Sequence, residues 1–340
     1  MKYLSRVLGN DGTKNRIGRA IEAGRLPHAL LIDGAAGTGK MTLATEIAAA
    51  LNCESRGEAL PCGLCNTCRR IYQGGHVDVR VLSLKDGKAT IGVSEIKDIR
   101  RDMYLSATEG AFKVYIIRDA ERMTPEAQNA LLIVLEEPPK NVVIMLLAAG
   151  TDRILTTIKS RAQYVSMARF DKGEIEKHLL TLSPHAPRLK ASSPESFDII
   201  LTEADGVLGR AIALSDPERV GELVENRKMI TDVIEALGEK SEYSRLMSAI
   251  SALPTKRQEL TEAIELLISA IGDMIAAKNA ADVGTVFLRN RDEALALARN
   301  MSVRYLMSVY EIFTDACDKL GKNAGANSLL TECTARIKLI

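Results

Sequence analysis

Gly34-Ala35-Ala36-Gly37-Thr38-Gly39-Lys40-Met41-Thr42 lies between an apolar run, Ala29-Leu30-Leu31-Ile32, and a stretch rich in Ala, Leu and Glu from Met41 to Leu51. The run has the character of a buried strand and the stretch that of a helix. Strand, glycine turn and helix are the setting in which G-x-x-x-x-G-K cradles phosphate. Gly34, Gly37 and Gly39 let backbone N–H groups curl around phosphate oxygens, the helix N-terminus adds partial positive charge, and Lys40 reaches the outer phosphates. The residue after the lysine should carry a hydroxyl for Mg²⁺, and here it is Met41. Thr42 has a hydroxyl, but one step along a helix turns the side chain by about 100°. The nucleotide-binding set for ATP or ADP is therefore Gly34, Gly37, Gly39, Lys40 and Thr42, in degenerate form.

Further along, a strand is predicted from Val77 to Leu84, a helix from Val93 to Leu105 and a strand over Lys113-Val114-Tyr115-Ile116-Ile117. A hydrolysing P-loop protein ends this last strand in carboxylates that organise Mg²⁺ and water. Arg118 stands there instead, followed by Asp119 and Glu121. A helix opens at Thr124-Pro125-Glu126, with a hydroxyl cap, proline at the first position and an acid in the first turn, and stops at Pro138-Pro139. The strand Val142–Ala148 ends in alanines where a phosphate-sensing polar side chain is expected. With Tyr164–Met167 as a last strand, the alternation from Ala29 to Met167 predicts a parallel sheet with helices on both faces.

Cys53, Cys62, Cys65 and Cys68 are spaced C-x8-C-x2-C-x2-C. Four thiolates at such spacing close a tetrahedron around Zn²⁺ and leave no open position, so the site is structural. The alternatives are four free thiols or an iron–sulfur cluster. Cys317 and Cys333 lie in helical sequence and read as core packing. His28, at the entrance to the first strand, reads as packing or a turn.

The 340 residues carry a net charge of +1, 4% aromatic residues and no Trp, which excludes the basic, base-stacking surface of an autonomous nucleic-acid binder. No apolar run approaches the roughly 18 residues of a membrane span, and the N-terminus has no apolar signal core. No membrane partner and a cytoplasmic location are expected. From Ser183 to Pro194 a loop or linker is predicted, and no strand signal follows Asp216-Pro217. Leu260, Ile264, Leu267, Ile268, Ile271, Met274 and Ile275 form one helical stripe, and Val303, Leu306, Met307, Tyr310, Phe313 and Cys317 another.

Taken together, Arg25-Leu26-Pro27-His28-Ala29, the cysteine module, Asn129-Ala130-Leu131-Leu132 with Leu135-Glu136-Glu137-Pro138-Pro139, and Thr157-Ile158-x-Ser160-Arg161 resemble the bacterial DNA polymerase III clamp loader, of the AAA+ class. The likeness covers roughly the first half of the chain; Asn323 to Glu332 is faintly similar to the family's last segment. It implies an α/β AAA+ P-loop domain with a parallel sheet flanked by helices (1–170, zinc module 53–68), a small helical lid (171–217) and an all-α C-terminal collar (218–340). Within the family, Met41, Arg118-Asp119 and Ala148-Ala149 resemble the non-hydrolysing delta-prime class more than the gamma or tau motor. Arg210 lies one residue later after Gly206 than the motor's second-sensor arginine. The resemblance gives Ser160-Arg161 the role of an arginine finger reaching a neighbour's phosphates, with Ala162 in place of the family's cysteine. Implied partners are gamma/tau motor subunits and delta, and, through the complex, the beta sliding clamp and primed DNA. The competing expectations are a gamma/tau-type motor, a zinc-bearing nucleic-acid module on a vestigial ATPase fold, and a stand-alone AAA+ enzyme.

Overall fold

The computed structural model describes residues 2–55, 57, 59–84, 88–238, 243–279, 285, 287–288, 290–321 and 324–340. Asn323, in the segment compared with the family's C-terminus, lies outside them. The chain folds as two compact units, Met1–Phe170 and Asp171–Ile340.

The first unit runs β1 (Lys2–Tyr3), α1 (Asp11–Glu22), β2 (Ala29–Asp33), α2 (Lys40–Leu51), β3 (Ala59–Leu60), α3 (Asn66–Tyr72), β4 (Val79–Leu82), α4 (Val93–Met103), β5 (Lys113–Ile117), α5 (Pro125–Glu136), β6 (Val142–Ala148), α6 (Thr156–Lys159) and β7 (Gln163–Ser166). Five strands form a sheet in the order β4-β5-β6-β2-β7, every pair parallel. The central strands are continuous apolar runs because both faces are covered. Leu30, Ile32, Val114, Ile116, Met145 and Leu147 point to one side, where Leu43 and Ile47 of α2 close the core. Leu31, Tyr115, Ile117, Ile144 and Leu146 point to the other, against Ile96 of α4 and Leu131 and Val134 of α5. The alternation follows the two-residue period of a strand. The edge strands β4 and β7 are half-exposed; β4 is shorter than its apolar sequence predicts, and β7 is shifted one residue toward the N-terminus of its predicted span. A second small sheet pairs β1 with β3, which no periodicity announces.

α5 begins as the sequence predicts: Thr124 Oγ1 accepts the N–H of Ala127 at 3.2 Å, with Pro125 at the first position. His28 Nε2 lies 3.1 Å from the carbonyl of Leu135, a packing contact at the foot of β2.

The second unit is all helix among the described residues: α7 (Lys172–Leu182), α8 (Ala186–Ser192), α9 (Pro194–Glu203), α10 (Leu208–Leu214), α11 (Pro217–Gly238), α12 (Tyr243–Ser251), α13 (Arg257–Lys278), α14 (Arg291–Leu297), α15 (Val303–Gly321) and α16 (Ala326–Lys338). The predicted linker at 183–194 is instead α8 and the start of α9. Pro187 and Pro194 occupy first-turn positions, where proline loses no helical hydrogen bond. Leu260, Ile264, Leu267, Ile271 and Met274 of α13 are fully buried, as expected. On α15 the buried line is Leu306, Val309, Ile312, Phe313, Ala316 and Leu320, and Met307 and Tyr310 fall on its exposed flank. Cys333 is buried and Cys317 packs at the edge of the same core.

One buried polar network crosses this unit. Arg227 Nη1 lies 3.1 Å from Glu203 Oε1, and its guanidinium stacks on the Phe287 ring at 4.3 Å. Asp273 accepts the N–H groups of Phe287 and Leu288 at 2.7 and 2.9 Å. Burial pushes the Glu203 carboxyl up, against the pull of Arg227 and Arg210. Arg210 of α10 lies 3.7 Å from Glu203.

Candidate functional site

β2 ends at Asp33 and delivers the chain into the glycine loop, where Gly34 N–H bonds to Ala148 O at 3.2 Å. Gly37 and Gly39 have φ of 90° and 91°, a left-handed conformation that side-chain-bearing residues avoid. Gly39 caps α2, so the helix starts at Lys40 with its first N–H groups turned toward the loop. Thr38 is nearly buried and its hydroxyl donates to Ala35 O at 2.8 Å. Lys40 Nζ donates to Ala35 O at 3.0 Å and also to Gly34 O. Burial pushes the Lys40 pKa down, opposed by the carboxylates of Glu121, Asp33 and Asp119. The ammonium is thus held on the loop's own carbonyls, close to the N-terminus of α2, an end of a helix that favours anions.

The metal side of the loop is different. Met41, in the first turn of α2, is half-buried and packs against the edge of the core. Thr42, like Met41, lines a groove with Arg6, Thr45, Glu46 and Tyr72 that does not include Lys40. At the end of β5, Arg118 is exposed and Asp119 has φ of 52°. Glu121 Oε2 is buried and makes no hydrogen bond among the described residues. Ala148 is buried at the end of β6. The proximity of Glu121 to Lys40 went unused in the sequence reading, although its position after a strand end was the available signal.

Three cysteines between α2 and α3 and Cys68 in the first turn of α3 converge, with all Sγ atoms within 4.8 Å of one another and Cys62 Sγ 4.0 Å from Cys68 Sγ. A tetrahedron with Zn–S bonds near 2.3 Å has S···S edges of about 3.8 Å, so the cluster is close to the required size. The N–H groups of Cys62, Cys65 and Cys68 point at the sulfurs of Cys53, Cys62 and Cys65, each at 3.4 Å. Such donors favour thiolate. Burial pushes the Cys68 and Cys53 thiols up. Burial acts likewise on Cys62, but N–H donors from Cys65 and Leu64 prevail and bring it to about 7. Donor type, number and spacing all suit a closed Zn²⁺ site.

α3 continues from Cys68 to Tyr72, whose hydroxyl donates to Glu46 Oε1 at 2.5 Å. Glu46 is 1% exposed and also accepts the N–H of Arg6 at 3.2 Å. The Arg6 guanidinium lies 4.1 Å above the Tyr72 ring. The cysteine module is thereby fastened to the helix that follows the glycine loop.

Ser160 and Arg161 follow α6 on the exposed surface of this unit. Ser160 Oγ donates to Thr157 O at 3.0 Å, and Arg161 Nη2 lies 2.8 Å from Glu136 Oε1. The structure therefore assembles the cysteines as one cluster and the glycines with Lys40 as one loop. It directs Thr42 elsewhere and gives Arg161 a counter-ion that the sequence reading missed. No short-range pattern links residues 136 and 161.

The family model described as DNA polymerase III, delta subunit, matches residues 9–171. The chain is 31% identical over 275 residues to DNA polymerase III subunit gamma of Buchnera aphidicola subsp. Acyrthosiphon pisum, covering 80% of this chain and 73% of that protein. It is 32% identical over 227 residues to DNA polymerase III subunit delta' of Bacillus subtilis, covering 66% of this chain and 64% of that one. Against DNA polymerase III subunit tau of Salmonella typhimurium it is 31% identical over 210 residues, 62% of this chain, and it spans only about a third of that relative's length, 32%. No helix among the described residues is long and apolar enough to cross a membrane. On its P-loop fold and these likenesses, the chain belongs to the family of DNA polymerase III clamp-loader subunits.

Proposed function

We propose that this chain is a delta-prime-type subunit: an arm of the clamp loader that does not hydrolyse ATP and supplies Arg161 to a motor neighbour. One observation carries the reading. The glycine loop keeps its glycines and Lys40, but its metal-organising positions hold Met41, a thioether half-buried against the core, and Arg118, exposed at the end of β5. A cation at that strand end repels Mg²⁺, so chemistry at this pocket lacks its organiser. Gly34, Gly37, Gly39 and Lys40 would hold the phosphates of ATP or ADP, with Thr42 peripheral. Cys53, Cys62, Cys65 and Cys68 would hold Zn²⁺, which closes the loop between α2 and α3 without taking part in the reaction.

Arg161 just precedes β7, whereas the glycine loop follows the far end of the parallel β2, so the arginine can serve phosphates only across a boundary. There the guanidinium stabilises charge on a phosphoryl group bound by a gamma/tau subunit, with Ser160 shaping the turn that presents it. Residues 171–217 act as the lid and 218–340 as the collar that meets the other subunits, delta included. Through that assembly the chain takes part in placing the beta clamp on primed DNA in the cytoplasm.

The test is Arg161→Ala in the reconstituted complex. Assembly is expected to persist, while the site it faces loses about a thousandfold in turnover and the DNA-stimulated ATPase of the whole complex drops severalfold. Unchanged turnover would rule out the trans role. The motor alternative draws on the retained Lys40 and on the 31% identity to a gamma subunit; vigorous Mg²⁺-dependent hydrolysis by this chain alone would select it.

A further inference from the structure

Arg161 is engaged in this fold. Beside the ion pair with Glu136 at 2.8 Å, its Nη1 donates to Thr157 O at 3.1 Å and to Ser160 Oγ at 3.4 Å. The side chains remain accessible, 36% exposed for Arg161 and 50% for Glu136.

Two features set Glu136 apart from a chance surface partner. It is the last residue of α5, where the carbonyl ends of the helix carry partial negative charge and disfavour a carboxylate. No basic residue in that last turn offsets it, so helix stability does not account for an acid there. The segment carrying Arg161 is also fixed by the same helix. Gln128, 2% exposed, donates to Arg153 O at 2.9 Å and accepts the N–H of Leu155 at 2.8 Å. Ile158 of α6 is fully buried in the core that α5 helps to form. α5 therefore clamps the backbone that leads to the arginine and places an acid against its side chain.

We propose that Glu136 is a positioning residue for Arg161, holding the guanidinium on its own subunit until a neighbour's bound phosphates displace the carboxylate. This rests on the trans-arginine reading above. An exposed pair of this kind shifts an equilibrium by no more than about fivefold, so a polyphosphate with several charges outcompetes it. A phosphate approaching Arg161 also meets the negative charge of Glu136. Removing that charge at constant shape therefore eases nucleotide binding at the neighbour's site.

The experiment compares Glu136→Gln, Glu136→Asp, Arg161→Ala and the double variant Glu136→Gln/Arg161→Ala in the reconstituted complex, with KM for ATP and kcat measured separately. Glu136→Gln is expected to lower KM about two- to fivefold, a change that kcat does not share and that fades as salt rises. Glu136→Asp, which keeps the charge, should restore the original KM, and in the Arg161→Ala background Glu136→Gln should have no effect. An unchanged or raised KM in an assembled Glu136→Gln complex overturns the role of Glu136 while leaving the finger intact. If Arg161→Ala itself leaves turnover untouched, the reading beneath it falls instead. A Glu136→Gln effect that survives loss of Arg161 also refutes the positioning role.

Discussion

Asp78 accepts N–H groups from Thr108, Glu109 and Gly110, each at 2.8 Å, while 2% exposed. Burial pushes its carboxyl up, but the three donors prevail and hold it below the ordinary carboxylate range. With the folded value depressed, the stabilisation is complete above the unfolded pKa of about 3.9 and is lost as pH falls through the folded one. Asp78→Asn is expected to cost about 1–3 kcal/mol at neutral pH, read by urea unfolding, and the gap from the parent should close well below pH ~3.9. An equal gap at both pH values would mean that charge is not what matters there. At this scale the sequence was informative where one residue type dictates chemistry. The cysteines and the Ser160-Arg161 pair were visible as such. Glu136 and Gln128 were not, because their roles arise only when α5 is laid beside a segment more than a turn of chain away, and an isolated Glu or Gln on a helix looks like any solvated one.

Among the elements, the cysteine module has the longest reach. β3 lies inside it and pairs with β1, so that Leu4 N–H bonds to Leu60 O at 2.9 Å. α3, its far side, carries Tyr72 to Glu46. Binding energy at a structural zinc site is folding energy, so stripping the metal should release both attachments while the main sheet persists. Purified chain is expected to contain one zinc ion. Chelation should abolish hydrogen-exchange protection at Leu4 and along α3, and leave the amides of β2, β5 and β6 protected. Zinc well below one per chain, or protection at Leu4 that survives chelation, would contradict this. β2, β5 and β6 were legible because strands buried on both faces are uninterrupted apolar runs. β1 and β3 were not, since two residues cannot display a period. Pro187 and Pro194 misled for a related reason, as proline ends a helix from within but starts one from its first turn.

Across the whole chain, the parallel sheet gathers every strand's C-terminal end on one edge, as open α/β folds do at their ligand sites. β2 brings the glycine loop to that edge, β5 brings Arg118 and Asp119, and β6 brings Ala148. Anion-binding backbone without organised metal ligands predicts a silent binder. Isolated chain titrated with labelled ATP should bind it with no strengthening by Mg²⁺ and release no phosphate. Metal-dependent turnover, or no binding at all, would each refute that expectation.

The strand order also bears on how the molecule is made. β2 is complete at Asp33, yet both of its neighbours, β6 and β7, begin only at Val142 and Gln163. A ribosome that has delivered everything up to Asn141 has made the glycine loop but neither strand that flanks its base. The Ala148 carbonyl that tethers Gly34 does not yet exist. Any affinity of the glycine loop for nucleotide is therefore expected to arise only once the unit is almost finished, too late for a nucleotide to template its folding.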